Sequence, residues 1–249
     1  GAPDDMNALW SAIQKGYLSL IEPVADFLVR RRVSPNVITT FGTFCTVVAG
    51  VLFATGHIRS GGWFLGITAL FDVLDGTVAR RTGTSTLFGA FYDSTLDRFS
   101  DGALLGGFVV FYATSKVHES DLMLTVTLLG LIATFVTSYT RSRAEALGLD
   151  AKVGLLQRPE RVTLLAAPQA FFGLAFGGWV LAGIIILLSV TAWITVVQRI
   201  LYVYRTTQGL DGNSKPINPS AGAGAPPVPP AAPPLSNVIE PPTEVPVRS

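Results

Sequence analysis

The sequence predicts an all-α integral membrane protein: six transmembrane helices, an N-terminal amphipathic helix lying in the membrane interface, and both termini in the cytoplasm. Three observations lead there. Of the 249 residues, 49% are hydrophobic and only 14% charged, and the mean hydropathy is +0.47; a soluble domain carries about 25% charged residues. The apolar residues gather in six runs, most of them close to the ~20 that a helix needs to cross hydrocarbon. Lys and Arg collect almost wholly on one side of those runs.

Residues 7–32 place Trp10, Ile13, Tyr17, Ile21, Val24 and Leu28 at three-to-four spacing, with a bend near Pro23 and an end at Arg30-Arg31-Arg32. That pattern is an interfacial helix. It is amphipathic and lacks a compact apolar core, so no cleavable signal peptide is predicted. A six-helix domain over 33–206 follows. Its first span, 37–55, is introduced by Ser34-Pro35-Asn36; the second, 62–79, carries two aspartates at its far end. The third covers 87–114, with two more aspartates in its first turns, and the fourth, 122–146, is apolar until Thr137 and charged beyond. The fifth, 162–176, is short, and the sixth is 179–204.

An even number of spans puts both termini on one side. All but three of the eighteen Lys and Arg lie at the termini or in the loops on that side; the exceptions are Arg59 and Lys116 opposite, and Arg98 inside the third helix. The positive-inside rule assigns that side to the cytoplasm of a multi-pass plasma-membrane protein. From residue 207 a tail begins, rich in Ser, Asn, Gly and Pro, which composition predicts to be disordered. The single Cys45 lies in an apolar run and can form no intrachain disulfide. A formal net charge of +1 carries no nucleic-acid signature, and no nucleic-acid partner is expected.

One stretch organises the rest: Asp72-Val-Leu-Asp75-Gly76-Thr-Val-Ala79-Arg80, then Gly89-Ala-Phe-Tyr-Asp93-Ser-Thr-Leu-Asp97. On helices, Asp72 and Asp75 share one face and Asp93 and Asp97 share another. Arg80 to Ser85 reads as a polar turn that lets the two pairs face each other. Each carboxylate in hydrocarbon costs ~2.5–3.5 kcal/mol on insertion scales, and like charges repel. Hard divalent cations such as Mg2+ or Mn2+ relieve both problems. Asp101 extends the series by a turn and reads as a partner for Arg98. Small residues at Gly76 and Ala79 suit either a close-lying nucleotide or close helix packing, and Arg80 suits a phosphate.

A second set is basic. Ser138-Tyr-Thr-Arg141-Ser-Arg143-Ala-Glu145 closes the fourth span, Arg158-Pro-Glu160-Arg161 opens the fifth and Arg199 lies in the sixth. Snorkelling to lipid headgroups accounts for one or two such arginines. Several of them, from three helices, suit an acceptor that is itself a phosphate ester. Gly102-x3-Gly106 and Ala103-x3-Gly107 make a small-residue face for close helix contact, within one bundle or between two copies.

The pattern D-x2-D-G-x2-A-R-x8-G-x3-D-x3-D is matched at every position and resembles that of the CDP-alcohol phosphotransferases, membrane enzymes that move a phosphatidyl or similar group from a CDP-linked donor to an alcohol. The resemblance implies two Mg2+ ions (or Mn2+) on Asp72, Asp75, Asp93 and Asp97, with Asp97 also the general base. It implies a CDP-diacylglycerol donor held by Asn36, Val37, Ile38, Thr39, Gly76, Ala79, Arg80 and Thr86. Over residues 7–205 the sequence further resembles the actinobacterial phosphatidylinositol phosphate synthases. That likeness implies a homodimer and inositol 1-phosphate as acceptor, bound by Ser138, Arg141, Arg143, Arg161 and Arg199; position 141 is often lysine in these relatives. Glycerol 3-phosphate, the acceptor of a phosphatidylglycerophosphate synthase, is the alternative. Two other classes share some of these features. In a cation or metabolite transporter intramembrane carboxylates mark an ion path, but here they stand at the cytoplasmic end and no repeat is visible. A scaffold docking partners through its proline-rich tail leaves the aspartates unexplained.

Overall fold

The computed structural model describes residues 22–83, 86–151 and 153–208, without the side chain of Asp72; within them there are helices and turns and no strand. The helices are α1 (22–30), α2 (Pro35–Ala54), α3 (Ile58–Thr82), α4 (Leu87–Thr114), α5 (Asp121–Ala146), α6 (Arg158–Phe172) and α7 (Trp179–Thr207). A 3-10 turn, Ala175–Gly178, joins the last two, with Phe176 and Gly177 in left-handed conformation.

Local chemistry sets the boundaries. Pro35 opens α2, where its missing N–H and fixed φ cost nothing. Thr86 caps α4 by accepting the Gly89 amide at 2.9 Å, and Ser120 caps α5 by accepting the Met123 amide at 3.3 Å. At the start of α6 the Gln157 amide donates to Glu160 Oε2 at 2.8 Å. The polar turn expected from Arg80 begins later, because α3 continues through Arg80, Arg81 and Thr82 and stops at Gly83, whose φ of 64° takes the left-handed position that closes a helix. Arginines in a last turn complement the helix dipole, so polarity alone does not end a helix.

Four segments are long and apolar enough to cross a membrane: α2, α3, α5 and the run Ala175–Thr207. The other two expected spans differ for distinct reasons. α4 carries Asp93, Asp97, Arg98 and Asp101 in its first half. α6 has 15 residues, which at 1.5 Å per residue reach about 22 Å against a hydrocarbon core of ~30 Å. Residues 7–21 of the expected interfacial helix and the tail from 209 lie outside the described residues; α1 ends at a turn with Arg32 at φ 54°.

α2 packs on α3 and α4, α3 on α6, α4 on α5, and α5 on α7. The main core joins Phe53, Ile58, Leu65, Leu104, Phe108, Phe111, Leu181 and Ile185, with Phe53 and Phe108 stacked at 4.3 Å. A smaller cluster of Ala25, Ile38, Leu74 and Val78 seats α1 on α2 and α3. Arg81 ties the same end by ion pairs to Asp26 and, at 3.5 Å, to Glu22. The small-residue face of α4 has two uses. A Cβ on Gly107 would lie 2.3 Å from the Gly50 carbonyl oxygen, and one on Gly50 would lie 2.4 Å from that of Ala103. The Ala103/Gly107 row is therefore taken up inside the bundle against α2, whereas Gly106 faces open space.

Candidate active site

The ends of α3 and α4 that carry the signature are held together by α2. Thr39, on α2, donates from Oγ1 to Asp75 Oδ2 at 2.7 Å, so a residue expected at the donor pocket orients a signature carboxylate. One residue on, Thr40 Oγ1 and the Tyr92 hydroxyl lie 2.9 Å apart, linking α2 to the turn that bears Asp93. The signature glycines make room. A Cβ on Gly89 would stand 3.1 Å from Thr86 Oγ1 and 3.5 Å from Asn36 Oδ1, so both polar groups lie over the first turn of α4. A Cβ on Gly76 would stand 3.2 Å from Arg80 Nη1: the Arg80 guanidinium folds back along α3 and donates from Nη2 to Thr77 Oγ1 at 3.2 Å. Ile38 is buried in the smaller core while Val37 is exposed, so the Asn36–Thr39 stretch divides between packing and the site. Ala79 is half-buried one turn before the α3 terminus.

Asp93 is exposed, and Asp97, one turn on, is drawn in until its side chain is 16% exposed. Asp97 Oδ1 accepts Arg158 Nη2 at 2.7 Å, and Oδ2 has Arg98 Nη2 at 3.8 Å. A turn deeper, Asp101 Oδ2 lies 3.9 Å from Arg161 Nη2. Two carboxylates spaced i, i+4 on α4 thus meet two arginines spaced i, i+3 on α6. This corrects the pairing expected for Asp101: its partner is Arg161, because the Arg98 guanidinium turns to Asp97 and the Asp101 face of α4 looks toward α6.

Arg199 is buried on α7, donating from Nε to the Val153 carbonyl at 2.9 Å and from Nη1 to the Thr137 carbonyl. It thereby ties the connection after α5 back to α5, and Arg141 and Arg161 lie within electrostatic reach of it. Arg141 pairs with Glu145 at 2.8 Å, both about half exposed. Ser138 is half-buried and donates to the Thr134 carbonyl at 3.2 Å. Arg143 is exposed in the last turn of α5. Arg161 therefore stands beside the aspartates, Arg199 and Arg141 lie toward the α5 end, and Arg143 stands exposed at the margin.

Arg158 belongs to the basic set but not to the residues expected to bind the acceptor, and the structure sets it on Asp97 instead. Its signal was present in the Arg-Pro-Glu-Arg start of α6: the Glu160 side chain is spent on the helix cap, leaving the two arginines to reach inward. Among the described residues, which exclude the Asp72 side chain, no three His, Cys, Asp or Glu converge on one point as ligands do. The donors at this end are all carboxylate oxygens, and both histidines lie elsewhere, His57 at the far end of α3 and His118 in the α4–α5 connection. Such a set fits a hard divalent cation.

A helical membrane bundle with carboxylates on two helices and arginines on three others at the same end is suited to bind divalent cations together with anionic, phosphate-bearing groups. Residues 32–204 match the family model of the CDP-alcohol phosphatidyltransferases, and the chain belongs to that family. It is similar to the phosphatidylinositol phosphate synthase of Mycobacteroides abscessus, with 40% identity over 195 residues that cover 78% of this chain and 87% of the relative. It is similar as well to two crystal structures of the Mycobacterium tuberculosis phosphatidylinositol phosphate synthase. The one with CDP-DAG bound matches with a TM-score of 0.68 and 35% identity, over 75% of this chain and 94% of the other. The complex with manganese and citrate matches with a TM-score of 0.67 and 36% identity, over 74% and 88%. The chain is thus a transferase of phospholipid biosynthesis, from a metal-dependent family. The transporter and scaffold readings fall away.

Proposed function

We propose that this enzyme transfers the phosphatidyl group of CDP-diacylglycerol to a hydroxyl of inositol 1-phosphate, giving phosphatidylinositol phosphate and CMP. The observation that carries the reading is the junction of the two residue sets: Arg158 on Asp97 at 2.7 Å joins the signature carboxylates to the arginine group of α6 and α7. A donor phosphate and an acceptor phosphate can then be held side by side. The CDP-DAG bound in one of the similar proteins supports the donor, and their name, phosphatidylinositol phosphate synthase, fits a phosphorylated inositol as the acceptor.

Asn36, Thr39, Arg80 and Thr86 border the donor site, where Gly76 leaves room for the Arg80 guanidinium and Ala79 keeps the floor small. Arg141, Arg161, Arg199 and Ser138 hold the acceptor phosphate, with Arg143 as a long-range attractor at the rim. Asp97 takes the proton of the attacking hydroxyl; a new P–O bond forms to the lipid phosphorus as the P–O bond to CMP breaks. Asp72, Asp75, Asp93 and Asp97 hold divalent metal, read as two Mg2+ with Mn2+ as substitute, which supplies charge neutralisation at the pyrophosphate. Six spans in a plasma membrane, a cytoplasmic active site and a homodimer complete the reading.

The test is CMP release by purified protein with CDP-diacylglycerol and Mg2+, offering inositol 1-phosphate, glycerol 3-phosphate and free inositol separately. Release with inositol 1-phosphate alone is expected. Release with glycerol 3-phosphate alone overturns the acceptor and keeps the reaction.

A further inference from the structure

Asp101 has no place in the signature, yet it is 8% exposed and its Oδ2 has no hydrogen-bond partner. Arg161 Nη2 is 3.9 Å from that oxygen, too far for a direct hydrogen bond, and Arg161 Nε is likewise buried without one. A buried charge left this way is costly unless something bridges it. Both side chains line a cavity of ≈ 20 Å³, whose wall is otherwise mostly apolar but includes Thr134 and Ser189. One water needs about 10–15 Å³ and two to four polar partners. Asp97 is also within electrostatic reach of Arg161. Arg161 thus stands between two carboxylates, one reserved by the signature for other work and one free of it.

We infer that Asp101 is a positioning residue of the acceptor site: by charge, and through a water in this cavity, it draws Arg161 inward and keeps its guanidinium off Asp97 and directed to the acceptor phosphate. The inference rests on the reading of Arg161 as an acceptor ligand. It divides the series Asp93, Asp97, Asp101, evenly spaced on one helix, into two metal ligands and one residue that serves the other substrate. The reason lies in depth: each turn of α4 buries its carboxylate further, from the exposed Asp93 through the partly buried Asp97 to the buried Asp101.

The experiment is steady-state kinetics of CMP release by the full-length protein in which each substrate is varied in turn. The variants are Asp101→Asn, Asp101→Glu, Arg161→Ala and the double Asp101→Asn/Arg161→Ala, with Mn2+ affinity measured alongside by electron paramagnetic resonance. Asp101→Asn is expected to raise the KM for inositol 1-phosphate about 10- to 100-fold, by analogy with the range for losing a partner that orients a metal-ligating side chain. The KM for CDP-diacylglycerol and the Mn2+ affinity should hold within about twofold, the error expected for sites that do not couple. Asp101→Glu should fall between wild type and Asp101→Asn, and the double variant should be no worse than Arg161→Ala. Equal shifts in both KM values, additive effects in the double variant, or weaker Mn2+ binding overturns the inference. If Arg161→Ala raises the acceptor KM and Asp101→Asn does not, the inference fails alone; if Arg161→Ala spares that KM, the acceptor reading fails first. Should Asp101→Asn not fold, Asp101→Glu carries the same comparison: a rise confined to the acceptor supports the positioning role, and a shared rise or none overturns it.

Discussion

Asp97 and Asp101 are chemically identical and one helical turn apart, yet their neighbours differ in kind. Asp97 is bracketed by Arg158 at 2.7 Å and Arg98 at 3.8 Å at the edge of the site, while Asp101 faces Arg161 below it at 3.9 Å. Asp97→Asn keeps the shape and removes both the basic oxygen and the charge. Turnover should fall by about 10²–10⁴-fold, the usual contribution of a general base. The thermal stabilisation conferred by CDP-diacylglycerol should persist. A rate near wild type would remove Asp97 from the chemistry. Arg199 has a second duty, since two of its nitrogens hold main-chain carbonyls of the α5–α6 connection and α5. Hydrogen bonds from charged groups contribute ~1.5–3 kcal/mol each. Arg199→Ala should therefore lower Tm as well as weaken the acceptor, whereas alanine at the exposed Arg143 should change Tm little; equal melting curves for the two would show that the carbonyl contacts do not matter.

Between elements, the tightest demand is where α2 and α4 cross. Gly107 and Gly50 approach so closely that a methyl at either position meets a carbonyl oxygen at 2.3 or 2.4 Å, while the neighbouring Gly106 faces open space. Gly107→Ala should destabilise the detergent-solubilised protein by about 1–3 kcal/mol, the range for overpacking. Gly106→Ala should be neutral or stabilising, by up to about 1 kcal/mol, because a helical glycine is replaced with no clash. Thermal unfolding of the two variants in one detergent checks this directly, and equal effects would mean that the helices separate to admit a methyl at little cost. The crossing matters for the site because α2 also brings Thr39 to Asp75 and Thr40 to Tyr92. Splaying α2 from α4 would loosen the signature pair at its root.

For the whole molecule, the distribution of charge predicts which end of the bundle faces the cytoplasm. In a Cys45→Ala background, Lys116→Cys should react with a membrane-impermeant thiol reagent applied to intact cells, and Ser214→Cys should react only after the cells are opened. Labelling of Ser214→Cys but not of Lys116→Cys from outside would invert the topology and put the nucleotide-linked donor on the wrong side. The aspartate and arginine sets lie at one end, with α1 clamped beneath by Arg81, Glu22 and Asp26. Exposed pairs of this kind contribute only ~0–1 kcal/mol, so what seats α1 is the burial of Ala25 against Ile38, Leu74 and Val78.

What the sequence determined by itself was whatever follows from spacing along one helix and from hydropathy: the helices, their order, the two aspartate pairs and the arginines that gather near them. Those are local properties, since i, i+3 and i, i+4 neighbours share a face wherever the helix is placed. The end of α3 was misjudged by a few residues because Arg80 to Ser85 is polar throughout and only the left-handed Gly83 stops the helix. The tertiary structure decided what depends on the rotation and depth of one helix against another. It set Arg158 on Asp97, Arg161 on Asp101, Arg199 on main-chain carbonyls and the Ala103/Gly107 row against Gly50. A long side chain such as arginine can reach several partners from one backbone position. Which of them it meets is fixed only when the facing helices are packed.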